Sequence, residues 1–294
     1  LASLPGLTAA KNLVSRLVAE GERVHAVLLY GQEGVGKKPL SDVLVRSWLC
    51  RSVTESGACG ECASCRAFDH GRSADVLNVS PTGSSSLIRI RAVRPSPKAD
   101  DEEPALSIRE FLRTMPLMSR HKVVVMRSPE RMTQDAANAL LKTLEEPPDY
   151  AKFVLLTDRI SGVMPTILSR CVTIQCQSPN QEELDLEGLD PRLLSAIELT
   201  PGHVAQLRSH LPWFESILQF ALSLEVRPAY SALKASEEFA QISERRKDLF
   251  NENARLANCN ALEVLGRLVS HRPGWARIIA EAHRHVSVAR LDAV

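Results

Sequence analysis

Four of the seven cysteines lie within 16 residues: Cys50, Cys59, Cys62 and Cys65, spaced C-x8-C-x2-C-x2-C. Two-residue spacers turn consecutive thiolates onto one ion, and four thiolates complete a tetrahedral zinc site. The residues between them, Gly57, Ala58, Gly60, Ala63 and Ser64, are small, as a tight knuckle requires. An odd cysteine count without a visible secretion signal argues against a disulfide framework. A ferredoxin-type iron–sulfur run also opens C-x2-C-x2-C but continues x3-C-P. Here Cys65 is followed by Arg66, Ala67, Phe68, Asp69 and His70. Zinc is therefore the preferred occupant, with an iron–sulfur cluster or bare thiols as the alternatives. A closed four-thiolate site has no open position for substrate, so the ion is structural, and His70 is superfluous as a ligand. Cys171, Cys176 and Cys259 read as small core residues.

A second constellation is Gly31-Gln32-Glu33-Gly34-Val35-Gly36-Lys37-Lys38, which fits G-x4-G-K between an apolar strand and a helix. Glycines Gly31, Gly34 and Gly36 let backbone N–H groups wrap an anion at a helix N-terminus, and Lys37 offers charge to phosphate oxygens. The next position needs a Ser or Thr hydroxyl to hold Mg²⁺. It is Lys38, followed by Pro39. The metal-holding carboxylates should follow a second apolar strand, KVVVM. Arg127, Ser128 and Pro129 stand there instead, so metal-assisted hydrolysis lacks both its second anchor and its base. The layout is that of an ATPase whose chemistry is missing, and ATP or ADP is expected to bind weakly or not at all.

The elements that must position these residues are legible from apolar periodicity. Short apolar runs at Val24–Tyr30 and Lys122–Met126 read as buried strands of a parallel sheet, with further strands at Phe153–Thr157 and Val172–Cys176 and short ones at Leu77–Val79 and Leu87–Ile90. Helical spacing occupies residues 6–20, 39–50, Ile108–Met115 and Asp135–Leu144, the last stopped by Pro147 and Pro148. Residues 80–104 read as loop-rich, with a solvated charged stretch at Lys98–Glu103. Alternating strands and helices predict an α/β unit with a parallel sheet covered on both faces. After about Ser178 the strands stop, and helices are expected at Leu193–Glu198, His203–Ser209, Trp213–Leu224, Tyr230–Leu268 and Gly274–Ala289.

Composition narrows the functions. The 294 residues carry 36 Lys+Arg against 35 Asp+Glu, and aromatics are 4%. Neutral charge and scarce aromatics argue against autonomous, tight nucleic-acid binding. With no run of about 18 apolar residues, no transmembrane helix is expected and no membrane partner. No signal peptide is visible in LASLPGLTAAKNL; the opening Leu, rather than Met, is compatible with a short piece upstream.

VHAVLLYGQEGVGKKPL, the four-cysteine module, AANALLKTLEEPP (136–148) and PTILSRC (165–171) occur in that order. Together they resemble the clamp-loader ATPases of bacterial DNA polymerase III, over residues 1 to about 176. Within that family the altered phosphate loop and the missing carboxylates resemble the non-motor delta-prime type more than the gamma/tau motor. The lid helix opening Gly202-His203-Val204 also lacks the nucleotide-sensing Arg of the motors. The resemblance implies a RecA-like AAA+ domain over 1–177 with a zinc module at about 50–65. It further implies a small helical lid over 178–211 and an all-α oligomerisation collar over 212–294.

It also implies a trans arginine finger, Arg170, flanked by Ser169 and Cys171, reaching into a neighbour's ATP site. Thr157 falls where the family has its sensor-1 residue, although a strand-end hydrogen bond accounts for it equally. Glu145 and Glu146 read as a charged helix end at a subunit interface. The implied partners are gamma/tau motor and delta subunits, with the sliding clamp and primed DNA met through the complex, in a bacterial cytoplasm at the replisome. Two other readings stay open: an ATP-hydrolysing motor of the same family, and a zinc-containing DNA-binding module on a vestigial nucleotide fold.

Overall fold

In a computed structural model, residues 7–19, 24–54, 57–83, 85–95, 106–224, 232–271 and 273–288 are described. The charged stretch Lys98–Glu103 and the opening residues 1–6 lie outside them. The chain divides into two compact units, Leu1–Asn180 and Gln181–Val294.

In chain order the first unit contains α1 (Thr8–Ala19), β1 (Ala26–Tyr30), α2 (Lys37–Leu49), α3 (Ala63–Asp69), β2 (Val76–Val79), α4 (Ile90–Val93) and α5 (Ile108–Phe111). It continues with β3 (Lys122–Arg127), α6 (Gln134–Glu145), β4 (Ala151–Thr157), α7 (Pro165–Leu168) and β5 (Val172–Gln175). The five strands form one parallel sheet in the order β2-β3-β4-β1-β5. Side chains alternate across its two faces, as period-2 geometry demands. Leu28, Val124, Met126, Phe153 and Leu155 enter one core with α4, α5, α6 and α7. Val27, Leu29, Val123, Val125, Val154 and Leu156 enter the other with α1 and α2. Burial on both faces explains why these strands are continuous apolar runs. Each such side chain contributes about 1.5–3 kcal/mol.

Helix ends follow local chemistry. Thr133 caps α6 by accepting from the Ala136 N–H at 3.3 Å, and Pro147-Pro148 deny its continuation. Ser107 and Glu110 form a reciprocal capping box at α5. That helix is only one turn long, with Leu112 already at its C-cap, and is shorter than the Ile108–Met115 expectation; Pro116 disfavours helical geometry at Met115.

The expected strand at Leu87–Ile90 is not formed. Leu87 and Ile88 make isolated bridges to Thr82 and Met132, and Ile90 begins α4. The apolar pattern there reflects core burial, with Ile88 1% exposed.

The second unit contains six α-helices among the described residues: α8 (Pro191–Ser195), α9 (Pro201–Ser209), α10 (Leu211–Ser223), α11 (Ala232–Phe250), α12 (Ala254–Leu268) and α13 (Pro273–Val288). They bury an aliphatic core with Trp213, Phe214 and Phe220. The helical stretch expected from about Tyr230 to Leu268 begins outside the described residues, and over 232–268 it holds two helices, α11 and α12. Asn251 takes a left-handed conformation, φ 50°, which Asn tolerates. Asn253 then caps α12 by accepting from the Leu256 N–H at 2.8 Å. Against Trp213 and Phe250 lies Arg246, paired through Nε and Nη2 with both carboxylate oxygens of Glu252 at 3.0 Å. Among the described residues no helix is long and apolar enough to cross a membrane.

Candidate functional site

The cysteine module is inserted between α2 and β2. Cys50 terminates α2 and Cys62 caps α3. Gly57 and Gly60, at φ 108° and 81°, make the reversals that bring Cys59 back. The sulfur atoms of Cys50, Cys59, Cys62 and Cys65 all lie within 4.8 Å of one another. A tetrahedral ion with Zn–S bonds of about 2.3 Å needs sulfurs roughly 3.8 Å apart, so the four fit zinc. His70 is exposed beyond α3 and stands outside the cluster.

The thiols of the cluster are not equivalent. Burial pushes Cys50 up, and Cys65 up to about 12. Backbone N–H groups of Glu61 and Cys62 hold Cys59 down. Burial works against the Cys62 thiolate, but N–H donors from Arg51 and Cys65 outweigh it, to about 6.

The module is rooted in the sheet unit. An Arg46–Asp69 ion pair at 2.6 Å ties α2 to α3. Ser64 Oγ donates to the Met118 carbonyl at 2.7 Å, and the Arg120 N–H to the Leu49 carbonyl at 3.3 Å. Asp75, just before β2, accepts N–H bonds from Leu117, Met118 and Ser119 at 2.8–2.9 Å.

At the carboxyl end of β1 the Gly-rich loop turns into α2. Gly31 is there for space: a Cβ would sit 2.1 Å from the Cys176 carbonyl oxygen. Gly34 and Gly36 take φ 76° and 106°, and Gly36 caps α2. Lys37 is 9% exposed. Its Nζ donates to the Gly31 and Gln32 carbonyls, each at 2.7 Å, and meets Asp158 Oδ1 at 2.6 Å. Lys38 turns outward to an ion pair with Asp42. Pro39 sits in the first turn of α2, where an N–H has no intrahelical partner to lose.

At the neighbouring strand ends, Arg127 is exposed and Ser128 takes a left-handed φ of 53°. The Thr157 hydroxyl donates to Glu130 Oε2 at 2.7 Å and accepts from the Arg159 N–H at 3.0 Å. Thr157 thus makes a strand-end hydrogen bond. Glu130 and Asp158 were missed in the sequence reading. Their signal was an acidic residue just past a buried strand.

Arg170 follows α7, which is anchored by the buried Ile167. Its Nη1 donates to the Thr166 carbonyl and Ser169 Oγ, both at 3.1 Å. Its Nη2 is paired with the Glu145 carboxylate at the end of α6. One third of its side chain remains exposed. Ser169 Oγ donates to the Thr166 carbonyl at 2.9 Å. Cys171 packs against the core, and burial pushes its thiol up to about 12. Of the three cysteines outside the cluster, Cys176 is buried, and Cys171 and Cys259 are half-buried.

A family model described as DNA polymerase III, delta subunit, matches residues 6–180. The chain belongs to this family. Within the DNA polymerase III delta family it is delta-prime-like. It is 34% identical over 167 residues to DNA polymerase III subunit delta' of Pseudomonas aeruginosa, covering 57% of this chain and 47% of that protein. It is 32% identical over 194 residues to the Haemophilus influenzae protein of the same name, covering 66% and 54%. The chain thus spans about half the length of these relatives. A gamma-subunit-related protein of DNA polymerase III from Thermotoga maritima has a TM-score of 0.51 at 20% identity, over 93% of this chain and 91% of that one. That likeness shows the fold: a parallel sheet covered by helices, followed by further helices.

Proposed function

We propose that this chain is the non-motor, delta-prime type subunit of a bacterial replicative clamp loader. It completes a hetero-oligomeric ring with gamma/tau motor and delta subunits and helps load the sliding clamp on primed DNA. Residues 178–211 act as the lid and 212–294 as the collar that buries its apolar faces against other subunits. Cys50, Cys59, Cys62 and Cys65 hold a zinc ion that cross-links the knuckle. Ser169 and Arg170 serve a neighbour's ATP site. A guanidinium supplied in trans spreads positive charge over the γ-phosphate as the transition state develops.

The observation that carries this reading is a contrast within one unit. The chain's own phosphate loop offers Lys38, paired outward with Asp42, where a metal-holding hydroxyl is needed. The end of β3 offers Arg127 and Ser128 in place of carboxylates. Arg170, in contrast, keeps its guanidinium at the surface on a well-anchored turn. A subunit without hydrolytic machinery can still be catalytic for its neighbour.

Reconstitution with Arg170→Ala tests the assignment. Assembly should be retained, while the one motor site that depends on this finger loses a factor on the order of 10³ in hydrolysis. Unchanged DNA-stimulated ATP turnover would remove Arg170 from the mechanism. MgATP hydrolysis by the isolated chain would place it among the motors.

A further inference from the structure

We propose that Asp158 is a built-in anion that occupies Lys37 and keeps phosphate groups out of the Gly31–Lys37 cradle. The inference rests on reading that loop as a degenerate phosphate loop. An ammonium group has three N–H donors. Those of Lys37 are matched by the Gly31 carbonyl, the Gln32 carbonyl and Asp158 Oδ1. None is left for a phosphate oxygen. The two carbonyls belong to the loop itself and hold the ammonium at its mouth. The third partner comes from the end of β4, and it is the one that an incoming anion must displace.

The remaining parts of an anion site persist. Gly34 and Gly36 keep the positive φ values, 76° and 106°, on which anion-binding backbone turns are built. The thirteen-residue α2 opens at Gly36, with its positive dipole end at the loop. Lys37 is almost wholly buried, so its charge needs a counter-ion. Asp158 keeps 49% of its side chain exposed while supplying one. An exposed carboxylate paired with a buried ammonium does electrostatically what a pyrophosphate group would do, and it repels one that approaches. The ligand class excluded is the di- or triphosphate moiety of a nucleotide. The loss of nucleotide chemistry therefore has two layers: no metal-holding group at Lys38, Arg127 and Ser128, and a resident carboxylate on the lysine.

The test is calorimetric titration of the full chain with inorganic pyrophosphate, without Mg²⁺ and at fixed ionic strength. It compares the wild type, Asp158→Asn, Asp158→Ser, and Asp158→Asn combined with Lys37→Met. Position 158 is half-exposed, and thermal melts check that each variant is folded. Two different replacements guard against one of them misfolding. Both single variants should bind at least about fivefold tighter than the wild type, the factor that corresponds to ~1 kcal/mol for a half-exposed ion pair. The Lys37→Met combination should abolish the gain. Equal affinities in wild type and both variants overturn the proposal, and so does a gain that survives Lys37→Met. Pyrophosphate affinity and MgATP turnover are separate readouts. Hydrolysis by the wild-type chain counts against the non-motor assignment, and an unresponsive Asp158 counts against this inference alone.

Discussion

Asp75→Asn should be among the most damaging single-atom changes in the sheet unit. The residue is 0% exposed. Its Oδ1 accepts from the Leu117 N–H at 2.8 Å, and its Oδ2 from Met118 and Ser119, both at 2.9 Å. An asparagine keeps the shape but turns one acceptor oxygen into an NH₂ donor. At least one of the three backbone N–H groups then faces a donor, and the rest lose a charged partner. Hydrogen bonds to a charged group are worth about 1.5–3 kcal/mol each. One lost bond and the weakened remainder cost about 3 kcal/mol, a large share of a domain stability of about 5–15 kcal/mol.

Urea unfolding followed by circular dichroism should show the midpoint falling by about 1–2 M for a slope near 2 kcal/mol/M. Hydrogen exchange should speed up at residues 117–119, which also seat the cysteine knuckle through Ser64. The pH dependence has a definite sign. Burial works against the Asp75 charge, but the three N–H groups outweigh it and hold the carboxyl below its ordinary range. Its stabilisation is therefore complete above the ordinary carboxylate pKa and is lost as pH falls through the depressed value. The gap between wild type and variant should close in acid. A loss under about 1 kcal/mol, or a gap that widens as pH falls, would refute the reasoning.

Two further outcomes follow from the same geometry. Gly31→Ala places a Cβ 2.1 Å from the Cys176 carbonyl oxygen, so β5 must move off β1; a loss of more than about 3 kcal/mol is expected, read as a thermal melt, and an unchanged melt would mean the strand end yields freely. Metal analysis should return about one zinc per chain; Cys62→Ser should abolish it, and in chelator competition the affinity should fall as pH falls, because binding displaces thiol protons. Iron, or no metal, would overturn the site.

Strand existence was readable because β1, β3 and β4 are buried on both faces and so appear as unbroken apolar runs. The four-cysteine knuckle was readable because its ligands are local, with spacing alone bringing the thiolates together. The altered phosphate loop was readable for the same reason: the missing hydroxyl and carboxylates are absences at known offsets. The strand expected at Leu87–Ile90 was not readable correctly, since apolar burial of Ile88 looks alike in a strand or beside one. The break at Asn251 was missed because a left-handed residue leaves the flanking helical periodicity intact.

What the sequence by itself determined is the set of groups present and absent: four clustered thiols, a lysine without its metal partner, and an arginine in Ser-Arg-Cys. What only the tertiary structure decided is which charges those groups meet. Asp158 lies 121 residues from Lys37 in the chain, yet parallel pairing of β4 with β1 sets their ends side by side. Glu145 meets Arg170 because α6 and α7 pack on the same face of the sheet. The physical reason is that electrostatic partnership depends on distance in space. Sheet order sets that distance, and spacing along the chain carries no record of it.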